Sequence, residues 1–374
     1  MNIGTYIKQS GGFKAFVPHT FPPKEGFDLS DELSKKNAKA TLALGKLDGI
    51  SYLVPDIDFF IFMYIRKDAE SSSQIEGTKA TMMDALEAEA GIDTGLPEDV
   101  DDITHYINTL NYGLERLKKF PLSLRFAREL HEKLMKGARS THHAAPGEFR
   151  TTQNWIGGTR PDNASYVPPT VPDMKSALSD LEKYLHTEDS TLPLVKTALI
   201  HAQFETIHPF LDGNGRTGRL LITLYLWANG LLERPMLYLS TYFKKHQKAY
   251  YSKLDGYHDG KVSEWVEFFL EGVTETAHDG FETAKKITAL REDDMCKVQA
   301  LNKKASDSAI KVLPRLYELP FVNVAKIQQW IGFSRPGAQT VIDRFVDMGI
   351  LTLKNEDVKY GRLYIYKKYI ELFD

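Results

Sequence analysis

The distribution of apolar and polar positions along this chain predicts helices for most of its length. Ser30 is a suitable N-cap for a helix that reaches about Leu47, and Gly91 is placed to end a helix that begins near Thr78. Other helices are predicted at 56–76, 99–119, 122–137, 172–187, 193–207, 216–229, 239–258 and 262–290. The pattern therefore predicts a mainly α fold.

The most apolar stretch runs from Phe59 to Ile65. It is too short to span a bilayer, and charged residues follow it at 66–68. We interpret it as a buried helix. Residues 1–14 contain no apolar core of signal-peptide length. We therefore expect a cytoplasmic protein that does not bind a membrane.

The C-terminal part of the chain has a different order of elements. Helices are predicted at 310–319, 324–331 and 335–348, and the last two are separated by a Gly-Phe-Ser turn. Residues 351–354 and 363–367 then alternate like a two-stranded ribbon. This order is typical of a winged helix-turn-helix.

Composition and charge narrow the class of protein. The chain has 374 residues, 42% of them hydrophobic, which is enough for a packed core, and its net charge of −3 gives no general attraction to nucleic acid. Its one cysteine, Cys296, excludes an internal disulfide and suits a reducing cytoplasm. Residues 307–374 contain 10 Lys and Arg against 8 Asp and Glu, a net charge of +2. DNA-binding modules are usually more basic, so a protein contact or a structural role stays open for this region beside DNA binding.

Candidate chemistry is concentrated in residues 208–219, which read His-Pro-Phe-Leu-Asp-Gly-Asn-Gly-Arg-Thr-Gly-Arg. The histidine is a base near neutral pH, and the aspartate is a hard oxygen ligand suited to Mg²⁺. The Gly-Asn-Gly turn directs backbone N–H groups toward an anion, and an apolar helix follows it. Each element alone is common in turns and surfaces. Their combination favours a site that handles a nucleotide phosphate.

This run fits His-Pro-Phe-x-[Asp/Glu]-Gly-Asn-Gly-Arg-x-x-Arg, and the chain therefore resembles the Fic family. The resemblance implies a Fic-type helical core with a short β-hairpin flap, and transfer of AMP from ATP to a Ser, Thr or Tyr hydroxyl of a target protein. It implies that His208 is the catalytic base and that Asp212 holds Mg²⁺. The implied ATP-binding residues are Gly213, Asn214, Gly215, Arg216, Thr217, Gly218, Arg219 and Tyr250. The related kinase-like branch has Ala-Asn-Lys in place of Gly-Asn-Gly, so the loop favours nucleotidyl transfer.

Two further segments match the family. Residues 147–158 and the Tyr-Val-Pro-Pro run at 166–169 resemble its flap, which includes Ile156, Gly157 and Gly158 and would clamp the target by strand pairing. Residues 72–77, Ser-Ser-Gln-Ile-Glu-Gly, resemble its inhibitory motif. The implied inhibitory residues are Ser72, Glu76 and Gly77. In that resemblance the glutamate pairs with Arg219 and keeps ATP from a productive position.

The resemblance divides the chain into three regions. These are an N-terminal helical region with the inhibitory helix at 1–98, a Fic catalytic domain at 99–290 and a winged-helix-like domain at 305–374. The target protein is not identified by the sequence, self-modification is expected, and a homodimer is left open. Removal of AMP in the same site is a second possible reaction. The competing hypothesis is a nucleotide-responsive regulator whose C-terminal module binds DNA.

Overall fold

The computed structural model describes residues 2–23, 26–27, 30–52, 58–91, 95–137, 145–354 and 361–373. Helices form most of the regular structure, as predicted. In the first two thirds of the chain they are α1 (Asp31–Ile50), α2 (Asp58–Ile75), α3 (Met82–Glu89), α4 (Val100–Leu117), α5 (Leu124–Met135), α6 (Val171–His186), α7 (Pro193–Ile207), α8 (Asn214–Ala228), α9 (Ser240–Lys245) and α10 (Gln247–His258). The remaining helices are α11 (Val262–Gln299), α12 (Lys303–Glu318), α13 (Val324–Ile331), α14 (Arg335–Asp347) and α15 (Lys367–Ile370), followed by a 3₁₀ turn at Glu371–Phe373.

Local capping explains where several helices begin. The Ser30 hydroxyl accepts a hydrogen bond from Leu33 N at 3.3 Å, as its predicted role as the N-cap of α1 requires. The helix predicted from Thr78 instead begins at Met82, because Thr81 and Asp84 form a capping box. The Asp84 carboxylate accepts from Thr81 N at 2.8 Å, and Asp84 N donates back to the Thr81 hydroxyl at 3.2 Å.

The centre of the molecule is α7, which is buried on all sides. It packs against α6, α8, α10 and α11, and the indole N–H of Trp265 on α11 donates to Ala198 O at 2.8 Å. The α11 helix extends to Gln299 rather than ending near 290, and α1 packs along it. A helix with no polar face is typical of the core, and His208 follows directly at the end of α7.

The single helix predicted at 239–258 is divided into α9 and α10. The backbone leaves the helical region at His246, with φ −110° and ψ 33°. This break allows α9 to pack against α2 while α10 packs against α11 and α7.

An N-terminal β-hairpin was not predicted from the sequence. Strands β1 (Gly4–Lys8) and β2 (Lys14–Pro18) pair antiparallel, with Tyr6 opposite Phe16. Phe16 N donates to Val167 O at 2.9 Å, and the fully buried Phe16 ring lies beside the rings of Tyr166 and His258. The hairpin therefore covers one side of the segment predicted as the flap.

The C-terminal region contains a small antiparallel sheet as well as helices. Strands β3 (Phe321–Val322), β4 (Thr352–Leu353) and β5 (Tyr364–Ile365) lie in the order β3-β5-β4. Both predicted strands occur here in shortened form, and β3 was missed. The connection between β4 and β5 falls at 355–360, outside the described residues, so the winged helix stays a prediction.

Hydrophobic and polar contacts join this region to the rest of the chain. The Tyr317 hydroxyl bonds to Asp294 Oδ2 on α11 at 3.3 Å, and Tyr366 donates to the same carboxylate. Phe373 packs on Tyr64 of α2 with ring centroids 5.4 Å apart. Across the described ranges, no helix combines the length and apolar character that crossing a lipid bilayer requires.

Candidate active site

His208 lies directly after α7 in a left-handed backbone conformation, with φ 48° and ψ 61°. Few residues other than glycine adopt this region, and a surrounding structure must hold them there. The turn ends α7 and directs the following loop back toward α8. Burial lowers the pKa of His208 to about 4, so the imidazole is uncharged at neutral pH and free to take a proton.

Arg150 holds the turn at His208. Its Nε donates to His208 O at 2.9 Å, and its Nη2 donates to Pro169 O at 2.5 Å. The backbone N of Arg150 donates to Pro209 O at 2.9 Å. Asn154 adds a bond from Nδ2 to Phe210 O at 2.9 Å. Sequence reasoning missed Arg150 and Asn154, since both were assigned only to the flap region.

The Gly-Asn-Gly loop is held by its own side chains. Asn214 Oδ1 accepts from Phe210 N at 2.8 Å, and Asn214 Nδ2 donates to Phe210 O at 2.9 Å. Thr217 Oγ1 donates to Gly213 O at 2.8 Å. In the structure the side chains of Asn214 and Thr217 shape the loop, and their predicted contact with ATP stays a prediction.

Gly213 and Gly215 are required for different reasons. Gly213 has φ 75°, and a Cβ on it would lie 2.6 Å from Met135 Sδ. Gly215 is in the first turn of α8, and a Cβ there would lie 2.3 Å from Glu76 Oε1. The helix begins at Asn214, two residues earlier than predicted. Because the first N–H groups of a helix have no partner within it, this end of α8 is suited to an anion.

His131 on α5 supports the same loop and was not predicted. Its Nδ1 accepts from Gly147 N at 2.9 Å, so its Nε2 carries the proton and donates to Asp212 O at 2.9 Å. The ring stacks on Phe210 with centroids 3.7 Å apart. The Asp212 side chain is exposed beside α8, and its Oδ1 accepts from Gly213 N at 2.6 Å.

The two arginines of the motif lie in different surroundings. Arg216 is buried under the loop, with Nη1 3.6 Å from Asp102 Oδ1 and Nη2 3.4 Å from Met135 Sδ. Arg219 is buried on the other side. Its Nη2 donates to Glu76 Oε1 at 2.7 Å and to Ser72 O at 2.9 Å, and its Nε donates to Ser72 Oγ at 2.9 Å.

The structure therefore brings together the three parts of the predicted inhibitory motif. Ser72 is fully buried in α2, and Glu76 stands one residue beyond the end of that helix. Gly77 has φ 94°, which favours glycine, and its N donates to Gln74 O at 3.1 Å. The turn presents the Glu76 carboxylate to Arg219, whose side chain is 2% exposed against 37% for Glu76.

The predicted flap is a closed loop with a single antiparallel β-bridge between Ile156 and Tyr166. A two-stranded ladder does not form, because Gly157 and Gly158 have φ values of 70° and 64° and turn the chain away. Asn163 Oδ1 closes the tip of the loop by accepting from two backbone N–H groups. Ile156 remains 41% exposed at the edge of the site.

A cavity of about 530 Å³ lies between the flap, α7, α8 and α10. Its walls include Glu76, His208, Gly215, Arg219 and Glu205, of which the last was not singled out from the sequence. A larger cavity of about 790 Å³ lies between α1 and α11 and contains no residue of the motif. The smaller cavity is the candidate site because it alone of the two is lined by the motif.

Tyr250 lines this cavity but presents little of its surface. It is 1% exposed, and its hydroxyl lies 2.9 Å from Nε2 of His201, a buried histidine on α7. Tyr251 is 44% exposed and lines the same cavity, with its hydroxyl donating to Ile75 O at 3.3 Å. Of the two rings, that of Tyr251 is the more accessible to the adenine base of a nucleotide.

Residues 121–226 match the Fic/DOC family. Residues 34–115 match the N-terminal region of the same family. Among curated proteins, the chain is similar to protein adenylyltransferase Fic of Drosophila grimshawi, with 29% identity over 211 residues, and to that of Culex quinquefasciatus, with 35% identity over 127 residues. These matches cover 54% and 33% of this chain, and they span 40% and 23% of the relatives' lengths.

Solved structures share the fold. A Fic family protein from Desulfovibrio desulfuricans G20 superposes with a TM-score of 0.58 at 20% identity, covering 91% of this chain and 97% of that one. A Fic domain containing signaling protein from Bacteroides thetaiotaomicron gives a TM-score of 0.53 at 19% identity, over 68% of this chain and 98% of that one. The chain therefore has a mainly α, Fic-type fold.

The hydrogen bonds that Arg150 makes to the turn at His208 lead to a prediction about stability. We expect Arg150→Met to lower the free energy of unfolding by about 2–4 kcal/mol, because several buried carbonyl groups lose a charged donor. Arg160→Met is the matched control, since the Arg160 side chain is 71% exposed, and it should change stability by less than about 0.5 kcal/mol. Denaturant unfolding of both variants checks this. Equal stabilities for the two variants would show that Arg150 does not hold the turn.

Proposed function

We propose that this protein is an adenylyltransferase that transfers AMP from ATP to a Ser, Thr or Tyr hydroxyl of a target protein. The observation that carries this is one cavity lined by an uncharged histidine, the N-terminal end of a helix and a buried arginine. A base, an anion site and a fixed positive charge are what transfer of a nucleotidyl group requires. The similarity to proteins named adenylyltransferase supports the same reaction.

His208 acts as the base in this proposal. Its imidazole takes the proton of the target hydroxyl, and that oxygen forms a bond to the α-phosphorus of ATP. The bond from the α-phosphorus to the bridging oxygen breaks, and pyrophosphate leaves with the electron pair. The N–H groups at the start of α8 and the Arg219 guanidinium stabilise the negative charge on the phosphates.

Asp212 would hold Mg²⁺ together with phosphate oxygens of ATP. No three His, Cys, Asp or Glu side chains are grouped to hold a metal ion in the described part of the chain. This donor set nevertheless fits, because Mg²⁺ often takes one carboxylate and completes its shell with substrate phosphates and water. The Asp212 side chain is exposed beside the loop that would receive those phosphates. When bound, the ion neutralises charge on the phosphate chain.

The flap would hold the target segment. The exposed Ile156 lies at the edge of the cavity with the turn of Gly157 and Gly158 beside it. A target strand that paired with the backbone there would place its hydroxyl near His208. Self-modification uses the same geometry, with a hydroxyl of another copy or of a chain segment.

Autoinhibition is the proposed role of Glu76. Its carboxylate occupies Arg219 Nη2 at 2.7 Å and lies against Gly215, where phosphates would otherwise bind. The γ-phosphate of ATP and the Glu76 carboxylate are therefore competitors for one guanidinium. With Glu76 in place, ATP would bind with its α-phosphate out of line for attack.

The first functional prediction concerns the base. We expect His208→Ala to reduce AMP transfer by about 10²–10⁴-fold, the usual loss when a general base is removed. His186→Ala, a change at an exposed histidine, should keep the wild-type rate. Incorporation of label from α-labelled ATP measures both rates. Because the pKa of His208 is about 4, the wild-type rate on the acid side should hold until the pH drops toward 4, where the imidazole gains its proton. A His208→Ala rate equal to wild type contradicts the assignment.

The second prediction concerns the group transferred. We expect the modified side chain to gain AMP and not phosphate alone, since the loop has Gly213-Asn214-Gly215. Mass spectrometry of the chain after incubation with Mg-ATP distinguishes the two products. A product carrying phosphate without adenosine would replace nucleotidyl transfer with phosphoryl transfer.

The third prediction concerns regulation. We expect Glu76→Gly to increase labelling of the protein by ATP, because Arg219 becomes free to bind the γ-phosphate. Glu188→Gly, a change at an exposed glutamate, is the matched control and should have no effect. Arg219→Ala should cancel the gain in a double variant, since the two residues act through one contact. Autoinhibition by Glu76 is ruled out if Glu76→Gly labels no faster than wild type at saturating Mg-ATP.

A further inference from the structure

Glu205 is a carboxyl group inside the candidate site that neither the motif nor the mechanism uses. It lies on α7 three residues before His208, and both residues line the 530 Å³ cavity. Its Oε1 atom is buried and has no hydrogen-bond partner among the described residues. It also approaches the backbone of α8 closely, because a Cβ on Gly218 would lie 2.3 Å from it.

An unpartnered buried carboxyl oxygen is costly and calls for an explanation. The nearest fixed charges act in opposite directions, since Arg219 favours the ionised form of Glu205 and Glu76 opposes it. Burial is the larger effect and raises the pKa of Glu205 to about 8. At neutral pH the group is therefore mainly the acid form, which has an O–H to donate.

A nucleotide site favours the acid form for a second reason. An ionised carboxylate beside the phosphate chain would repel it, whereas a carboxylic acid donates to a phosphate oxygen. The same cavity is lined by Gly215 and Arg219, which belong to the groups assigned to the phosphates, and by His208, the proposed base. The phosphate oxygens of a bound nucleotide are acceptors without any proton of their own to offer.

We propose that Glu205 contacts the nucleotide directly, its uncharged carboxyl group donating a hydrogen bond to a phosphate oxygen. This proposal rests on the proposed nucleotide site. Its consequence is a pH dependence of binding that the motif residues do not predict. The affinity is complete well below pH 8 and declines as the pH rises through about 8, because the ionised form loses the donor and gains a repelling charge.

Other titratable groups face the same cavity and must be separated from Glu205. They are Glu76 after α2, His208 on α7, Arg219 on α8, and Tyr250, Tyr251, Asp255 and His258 on α10. Burial lowers the pKa of His208 to about 4 and that of His258 to about 3, so both are uncharged across the alkaline range. Burial raises the pKa values of Tyr250 and Tyr251 above the ordinary value for tyrosine. Asp255 is the rival acid, since burial raises its pKa as well.

The test is the dissociation constant of Mg-ATP for the full chain at pH 7 and pH 9, measured by calorimetry. We expect binding to be about tenfold weaker at pH 9, because the apparent dissociation constant scales inversely with the fraction of Glu205 that is protonated. Glu205→Gln keeps a donor that does not ionise, so its affinity should be the same at both pH values. Asp255→Asn and the exposed control Glu188→Gln should keep the wild-type dependence.

Two simpler probes locate the contact. Inorganic tripolyphosphate should show the same loss of affinity at pH 9, whereas adenosine should bind equally at both values. The proposal is overturned if wild-type affinity for Mg-ATP does not change with pH, if the change survives in Glu205→Gln or disappears in Asp255→Asn, or if adenosine alone shows it. Failure of both wild type and Glu76→Gly to bind Mg-ATP at either pH would instead reject the nucleotide site itself.

Discussion

The site depends on the way in which the chain turns at His208. A buried helix that ended there without support would leave carbonyl groups at its C-terminal end without partners. Arg150 supplies the donors, and its side chain is held between the turn and Pro169 at the end of the flap. One buried guanidinium thus fixes the end of α7, the start of the loop that leads to Gly-Asn-Gly, and the end of the flap. The positions of His208, the proposed base, and of the flap are consequently set by the same side chain.

A second constraint is the burial of Arg219. A buried charge needs a partner, and removing that partner is strongly destabilising. In the structure the charge of Arg219 is balanced by Glu76, and its Nε and Nη2 also donate to Ser72. A phosphate group is an equivalent partner in charge and in hydrogen-bonding capacity. The contact between Glu76 and Arg219 therefore also stabilises the fold, and a bound phosphate would offset its loss.

The sequence predicted the local backbone of the candidate site better than the contacts between distant elements. Residues 208–219 are contiguous, so their types and spacing already predict a turn followed by the N-terminal end of a helix. Residues 72–77 were placed by resemblance, and the structure puts Glu76 beside Arg219. Prediction was weaker where side chains work at a distance in sequence. His131 and Arg150 support the loop from other elements, and no local pattern marks them.

The roles of individual loop residues were also less predictable than their presence. Asn214 and Thr217 have the right chemistry to contact a nucleotide, but the same chemistry closes the loop on itself. Tyr250 has an aromatic ring at the expected distance along the chain, yet tertiary packing buries it and leaves Tyr251 more exposed. The N-terminal hairpin was missed because its stability comes from Phe16 packing against residues about 150 positions later. Residue type limits what a side chain does, and packing decides among the options.

The charges around the cavity are consistent with a site that is balanced when empty. Arg219 is positive and Glu76 balances its charge. Burial keeps His208 uncharged at neutral pH and keeps Glu205 protonated in most molecules. A nucleotide adds several negative charges to this arrangement. Under the proposed function, a nucleotide would bind productively only if the Glu76 carboxylate left Arg219 and if no second carboxylate ionised nearby. The site would then place opposite demands on two glutamates, since Glu76 has to give up its contact with Arg219 whereas Glu205 has to keep its proton.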